Sequence, residues 1–322
     1  MSMEKKTLLK SSGLVSIGVL SSRVLGFIRD VVMAHFLGTG FMAEAFFVAQ
    51  RIPNLLRDLV GEGAANAAIV PVLAQYAHKK EKAQWLELIN VVMVWGVIIL
   101  GSLTIIGMIA APWIVRAIAP GFTDDAVKFQ LTVDLTRIMF PYLILIALTA
   151  FQVGILYSLN SYLVPSFGPC LLNIAMIVSA WVACLFSWHL AYVLSVAVLI
   201  GGVLQFLAQW MALKKRGVFW QKPTTLKNEG AKKIFSLMIP RLWGSGVYQI
   251  NIMVDTLCAS LVMIVGSGGV AALYYAARII QFPLGLFAYA LSSVSLPTLS
   301  KMATEGRMTE FKTTLEFALR NL

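Results

Sequence analysis

Long apolar runs are the feature of this sequence that most limits its possible folds. A helix that crosses a hydrocarbon core of about 30 Å needs roughly 20 mostly apolar residues. Runs of this kind lie at residues 11–37, 87–115, 131–157, 165–187, 190–213, 234–264 and 271–296. Of the 322 residues, 59% are hydrophobic and only 13% are charged, whereas about a quarter of a soluble domain is charged. The sequence therefore predicts an all-α, polytopic membrane protein.

Residues 41–76 form an eighth candidate span, which hydropathy alone would not support because the segment carries several charged residues. Loops rich in Lys and Arg stay in the cytoplasm. The basic loops, such as 78–82 and 214–233, alternate with loops that carry almost no Lys or Arg only if residues 41–76 also cross the membrane. This parity predicts eight spans and a cytoplasmic N-terminus. It also accounts for most of the net charge of +11 without a nucleic-acid partner.

A loop and the helix after it occur twice, as "GTGFMAEAFFVAQR" at 38–51 and "GSGGVAALYYAAR" at 266–278. Six predicted helices begin between the two copies, so the copies point the same way through the membrane. Parallel repeats of this kind place a substrate site between two halves. We therefore predict an N-lobe of six spans at residues 1–218. Residues 219–322 then hold a cytoplasmic loop, the first two helices of a C-lobe and the start of another helix, so we expect a fragment or a truncated form.

Charged residues inside predicted spans are the main functional signal. The segments "SRVLGFIRD" and "RIPNLLRD" share the spacing R-x5-R-D. The residues concerned are Arg23, Arg29, Asp30, Arg51, Arg57 and Asp58. An arginine at the centre of a bilayer costs at least about 3 kcal/mol, so several of these must face an aqueous interior. Guanidinium groups match phosphate oxygens in pairs, and the pattern predicts a cationic cavity for an anion, with phosphate the best match.

Two alternatives stay open for individual residues. Arg51 lies near a helix end, where its side chain could reach the polar boundary by snorkelling. Glu44, Asp58 and Glu62 could serve only as ion-pair partners of the arginines.

Asp255 and Asn251 lie four residues apart within one predicted span, on the same helix face. An ionisable residue inside a membrane is a functional candidate. Asp255 is either a cation ligand or a hydrogen-bonded cavity residue. The isolated Cys170, Cys184 and Cys258 predict packing residues, because their spacing matches neither a disulfide framework nor a metal site.

Several segments resemble the MurJ/MviN family, the lipid II flippases of bacterial cell-wall synthesis, within the multidrug/oligosaccharidyl-lipid/polysaccharide exporter superfamily. They include "SSRVLGFIRDVVMAHFLGTG", "AEAFFVAQRIPNLLRDLVGEGA", "PSFGPCLLNI" and "YYAARIIQFPLG". The resemblance covers nearly the whole chain. It implies two lobes of helices around a central cavity, and transport of lipid II from the inner to the outer leaflet of the cytoplasmic membrane by alternating access.

The resemblance also implies a substrate site. The arginines on which the family depends match Arg23, Arg29, Arg57 and Arg278, of which the last three would hold the pyrophosphate. The acidic residue of the second helix is Glu44 here, where relatives often have Asp; Asp30, Asp58 and Glu62 are supporting acidic residues by charge balance alone, because they neutralise only some of the arginines. Relatives often have "YYADR" where this chain has "YYAAR", so Ala277 removes one carboxylate beside Arg278.

A transporter breaks no bond, so we expect no enzymatic activity and no cofactor. Na⁺ and the membrane potential are the candidate energy sources; some relatives have a sodium site that includes an acidic residue of the helix with Asp255, although its other ligands would lie in helices absent from this chain. Three alternatives differ in class: a metal-dependent prenyl-diphosphate transferase, an exporter of another oligosaccharide-lipid or a drug, and a truncated inactive form. The transferase is disfavoured because the only adjacent acidic pair, Asp124 and Asp125, lies in a predicted outside loop.

Overall fold

The computed structural model describes residues 3–57, 66–79 and 81–320. Within these ranges the chain is built from α-helices and one 3-10 helix, without β-strands. The helices are α1 (Met3–Leu37), α2 (Phe41–Arg57), α3 (Asn66–Lys79), α4 (Lys82–Ile118), α5 (Ala126–Met139), α6 (Tyr142–Ser158), α7 (Leu163–Leu185), α8 (Leu190–Lys214), α9 (Glu229–Ser260), α10 (Val262–Val265), α11 (Gly269–Thr304) and α12 (Met308–Arg320), with the 3-10 helix at Pro120–Asp124. The predicted all-α fold class is confirmed.

Four stretches are long and apolar enough to cross a membrane, judged by length and composition over the described residues. They are Lys82–Ile118, Ala126–Ser158, Leu163–Leu185 and Leu190–Lys214. The predicted spans 11–37, 234–264 and 271–296 also lie largely on helices, which are α1, α9 and α11.

The eighth candidate span, residues 41–76, is divided between α2 and α3. Residues 58–65 lie outside the described part of the chain. The parity argument for eight spans and a cytoplasmic N-terminus stays a prediction.

The two glycine loops of the predicted repeat lie against each other. Gly38 has a φ of 59° and Gly268 a φ of 87°, in the left-handed region that glycine adopts without strain. A Cβ added to Gly268 would come within 2.9 Å of the Thr39 carbonyl oxygen. The start of α11 is therefore in close contact with the α1–α2 loop.

Close helix packing positions the candidate site. The most extensive contacts join α7 to α8 and to α1, followed by α2 with α5 and α6 with α8. A Cβ on Gly18 of α1 would lie 2.5 Å from the Ser166 Cβ of α7, and one on Gly201 of α8 would lie 2.6 Å from Leu172. Small residues at these points let the helix backbones approach each other. The polar side chains of α1 and α7 are thereby brought together.

A second packing centre involves α3, α4, α6, α8 and α9. Its buried side chains include Trp85, Leu88, Phe151, Leu213 and Ile234. Asn228 caps α9 by accepting from the backbone N–H groups of Gly230 and Ala231, at 2.9 and 3.3 Å. The start of α9 is thus fixed against α4.

The chain divides into two compact units, and the boundary between them along the chain falls within α11, after Leu273. The first unit holds α1 to α10 and the start of α11, and the second holds the rest of α11 and α12. The lobe boundary predicted at residue 218 rests on the sequence repeat, whereas the two compact units are defined by contacts within the chain. The predicted lobe boundary stays a prediction.

Candidate functional site

Arg29 on α1 is hydrogen-bonded to Asp30 and to Asn173. Its Nε and Nη2 atoms donate to Oδ1 of Asp30, at 3.0 and 2.6 Å. Its Nη1 donates to Oδ1 of Asn173 on α7, at 3.0 Å. The side chains of Arg29 and Asp30 are only 12% and 8% exposed. Burial weakens screening by salt, so the attraction within this ion pair depends less on ionic strength than it would on a protein surface.

Asn173 joins α7 to α1 a second time. Its Nδ2 donates to the Ser22 carbonyl at 3.1 Å, and a Cβ on Gly26 would lie 3.6 Å from that same atom. α1 is helical through Gly26. A Cβ at that distance would make an ordinary van der Waals contact, so α1 lies close against the Asn173 amide at Gly26.

Sequence reasoning missed Asn173, although a signal was present. Asn173 is a buried amide within the otherwise apolar run of α7. A polar side chain in such a run needs an internal partner.

The structure describes the other two predicted site arginines of α1 and α2 in less detail than Arg29. Arg23 lies half-buried on α1, next to Ser22. Arg57 is the last residue of α2, and its side chain lies outside the described residues, as do Asp58 and Glu62.

Arg278 belongs to the second compact unit. Its guanidinium carbon lies 5.0 Å from the centre of the Tyr274 ring, which is cation–π range. Its Nη1 donates to Oε1 of Gln281, one turn further along α11, at 3.2 Å. Both contacts hold the guanidinium against its own helix.

Glu44 on α2 is bound by a lysine that the sequence analysis did not single out. Nζ of Lys128 on α5 donates to Oε2 of Glu44 at 2.5 Å, and the side chains are 9% and 3% exposed. Oε1 of Glu44 accepts from the Val270 N–H at 3.1 Å. The Lys128 ammonium also lies 3.8 Å from the centre of the Phe122 ring. Glu44 therefore joins α2 to α5 and to the start of α11, instead of neutralising an arginine.

Arg51 has an interhelical partner. Its Nε donates to Oγ1 of Thr256 on α9 at 3.0 Å, and Arg51 is half-buried. Four residues after Thr256 on α9, Oγ of Ser260 accepts a hydrogen bond from the Gly121 N–H at 3.4 Å. The contact to Thr256 links α2 to α9, which the snorkelling alternative did not anticipate.

Asp255 and Asn251 are both exposed on α9, one turn apart. Over the described residues, no group of three or more His, Cys, Asp or Glu side chains is arranged to hold a metal ion. The cation-site hypothesis for Asp255 and Asn251 stays a prediction.

Residues 33–322 match the family model described as "Lipid II flippase MurJ". The "Probable lipid II flippase MurJ" of Haemophilus influenzae is 39% identical over 314 residues, which cover 94% of this chain and 61% of the relative. The "Lipid II flippase MurJ" of Burkholderia cenocepacia is 37% identical, over 94% of this chain and 58% of the relative. The chain thus spans about three fifths of the length of these curated relatives.

Solved structures agree with the sequence comparisons. "Lipid II flippase MurJ, inward closed conformation" matches with a TM-score of 0.78 and 27% identity, over 96% of this chain and 62% of that chain. A protein described as a MOP superfamily transporter from Pyrococcus furiosus matches with a TM-score of 0.65 and 14% identity, over 97% of this chain and 68% of that chain, which shows the fold alone.

Apolar helices and bacterial flippase relatives together make this a multi-pass membrane protein of a transporter family, not an enzyme family. The resemblance carried by the arginine-rich first helices is confirmed over most of the sequence. The chain belongs to the MurJ family of lipid II flippases.

Proposed function

We propose that this protein moves lipid II, a disaccharide-pentapeptide carried on undecaprenyl pyrophosphate, from the inner to the outer leaflet of the bacterial cytoplasmic membrane. The match of residues 33–322 to the lipid II flippase family is the observation that carries the proposal. Since the curated relatives are longer, the activity is proposed for the whole protein. Its biological roles would be peptidoglycan synthesis, cell-wall biogenesis and the maintenance of cell shape.

The pyrophosphate would bind to Arg29, Arg57 and Arg278, with Arg23 adding positive charge on α1. The contacts of Arg29 suggest how an anion is bound and released. A buried guanidinium needs a counter-charge when no substrate is present, and Asp30 supplies one at 2.6 Å. A pyrophosphate oxygen would compete with Asp30 for the same guanidinium edge, while Asn173 keeps its orientation.

Transport would proceed by alternating access, with the sugar-peptide head in the cavity and the undecaprenyl tail in lipid. The basic loops support a cytoplasmic N-terminus. No cofactor is required by this scheme. The energy would come from Na⁺ or from the membrane potential, with Asp255 and Asn251 as candidate ligands on α9.

Genetic complementation tests the proposed function. A bacterial strain depleted of its own lipid II flippase stops growing unless another flippase replaces it. Expression of the gene that encodes this chain, together with its natural flanking coding sequence, should restore growth and accumulation of outer-leaflet lipid II. Normal membrane levels of the protein without restored growth would contradict the proposal.

A further inference from the structure

A groove of about 580 Å³ lies between α4 and the start of α9, and none of the candidate site residues lines it. Its apolar wall includes Trp95, Ile99, Leu226 and Phe235. Ile99 and Leu226 are 46% and 44% exposed, so this wall is an open apolar surface. The groove therefore fits an apolar ligand that approaches from the side of the helix bundle.

The wall formed by the α8–α9 connection is held in place by hydrogen bonds to α4. The Trp95 indole N–H donates to the Leu226 carbonyl at 3.1 Å. Oε1 of Glu87 accepts from the Thr224 N–H at 2.6 Å, and Oδ1 of Asn90 accepts from the Gln221 N–H at 3.1 Å. A groove built in this way exists before a ligand binds, which favours affinity because less ordering is required.

The rim of the groove is basic. Lys227 and Lys232 line it, together with a single carboxylate, Glu229. The segment 214–233 has seven Lys or Arg residues and one acidic residue, so the surroundings add to the positive potential. The groove therefore combines an apolar wall with a basic rim.

The apolar wall and the basic rim follow each other in the same order as the acyl chains and the phosphate of a phospholipid. Trp95 lies eight residues inside the predicted span 87–115, or about 12 Å along the helix at 1.5 Å per residue. Lysine stems can extend along apolar surface and keep their ammonium groups at the polar boundary. Basic segments next to spans attract the anionic lipids of the cytoplasmic leaflet.

We propose that this groove binds an anionic glycerophospholipid of the leaflet that faces the basic connection. One acyl chain lies along Trp95, Ile99 and Phe235, and the phosphate lies between Lys227 and Lys232. The bound lipid fixes the start of α9 to α4. The proposal is independent of the substrate of the arginine site.

Native mass spectrometry of the purified chain with added dioleoyl-phosphatidylglycerol tests the charge requirement. A lysine near the membrane surface contributes about 1 kcal/mol to anionic lipid binding, so Lys227→Gln combined with Lys232→Gln should weaken binding roughly 30-fold. Lys233→Gln is the matched control, because Nζ of Lys233 donates to Oε1 of Gln75 at 3.3 Å and Lys233 does not line the groove. The control should weaken binding far less than the double variant does.

Fluorescence quenching tests the apolar wall. Phosphatidylglycerol with brominated acyl chains should quench a component of tryptophan emission that is lost in Trp95→Phe and kept in Trp188→Phe, a control in the α7–α8 loop. Three results would overturn the proposal: equal affinity for phosphatidylcholine or phosphatidylethanolamine, equal weakening by Lys233→Gln, or equal quenching in the two tryptophan variants.

Discussion

Arg29 on α1 and Asn173 on α7 are joined by a hydrogen bond of 3.0 Å from Nη1 to Oδ1, across 144 positions of the sequence. The same Asn173 amide returns to α1 by donating to the Ser22 carbonyl. An amide suits this position because it accepts and donates at once. The orientation of the Arg29 guanidinium is therefore set by the packing of α1 on α7.

Asn173→Leu should destabilise the protein and reduce transport. The substitution removes an acceptor from a part-buried charged group, and a hydrogen bond to a charged group contributes about 1.5–3 kcal/mol. Thermal unfolding in detergent measures the stability effect, with Val178→Ala as the control, since Val178 lies on the same helix and is 53% exposed. An Asn173→Leu protein as stable and active as this control would show that the bridge has no role.

The buried pair of Glu44 and Lys128 should behave as a coupled unit. Removing one partner of a buried ion pair costs about 3–5 kcal/mol, because the other charge is left uncompensated. Glu44→Gln and Lys128→Met should each destabilise strongly, and the double variant should be far less destabilised than their sum. Glu44→Gln keeps an acceptor for the Val270 N–H, so the loss reports the charge.

A double-mutant cycle in chemical denaturant measures this coupling. The exposed pair of Arg307 and Glu310, one turn apart at the start of α12, is the control and should show almost no coupling. Strictly additive effects of the Glu44 and Lys128 substitutions would contradict a buried pair.

The uniformly apolar helices could be predicted well from the sequence. The spans at 87–115, 165–187 and 190–213 fall on α4, α7 and α8 to within a few residues at nearly every end. Hydropathy is a local property, and it suffices where every turn of a helix is apolar.

The partners of the charged residues could not be predicted in the same way. The sequence offers arginines as candidate ion-pair partners of Glu44, but α2 packs on α5 and brings Lys128 to it from 84 positions away. Asn173 reaches Arg29 for the same reason. Periodicity places a residue on a helix face, whereas its partner depends on which helix covers that face.

Asp255→Asn should abolish any dependence of transport on Na⁺ if Asp255 is a cation ligand. Asn keeps the size of the side chain but removes the charge that attracts a cation. Transport at varied Na⁺ concentration measures this, with Asp124→Asn in the 3-10 helix as the control. Sodium-independent transport that is unchanged in Asp255→Asn would exclude the ligand role.

Arg29→Lys should rescue transport only weakly compared with Arg29→Ala. Lysine keeps the positive charge but lacks the planar fork that binds Asp30 and Asn173 together. Arg51→Ala should reduce transport less, because Arg51 bonds to Thr256 and belongs to a helix contact. Growth rates of depleted cells that express each variant at equal membrane levels rank the three. Full rescue by Arg29→Lys would show that charge alone is sufficient.

The most direct measurement of the central claim is the fraction of lipid II exposed on the outer leaflet, read with a membrane-impermeant probe in cells depleted of their own flippase. The whole protein with Arg29 intact should restore exposed lipid II, and Arg29→Ala should reduce it at least tenfold at equal membrane levels, whereas Arg307→Ala on the exposed turn before α12 should match the wild type. Wild-type exposure of lipid II in the Arg29→Ala variant would contradict the claim that this arginine binds the pyrophosphate.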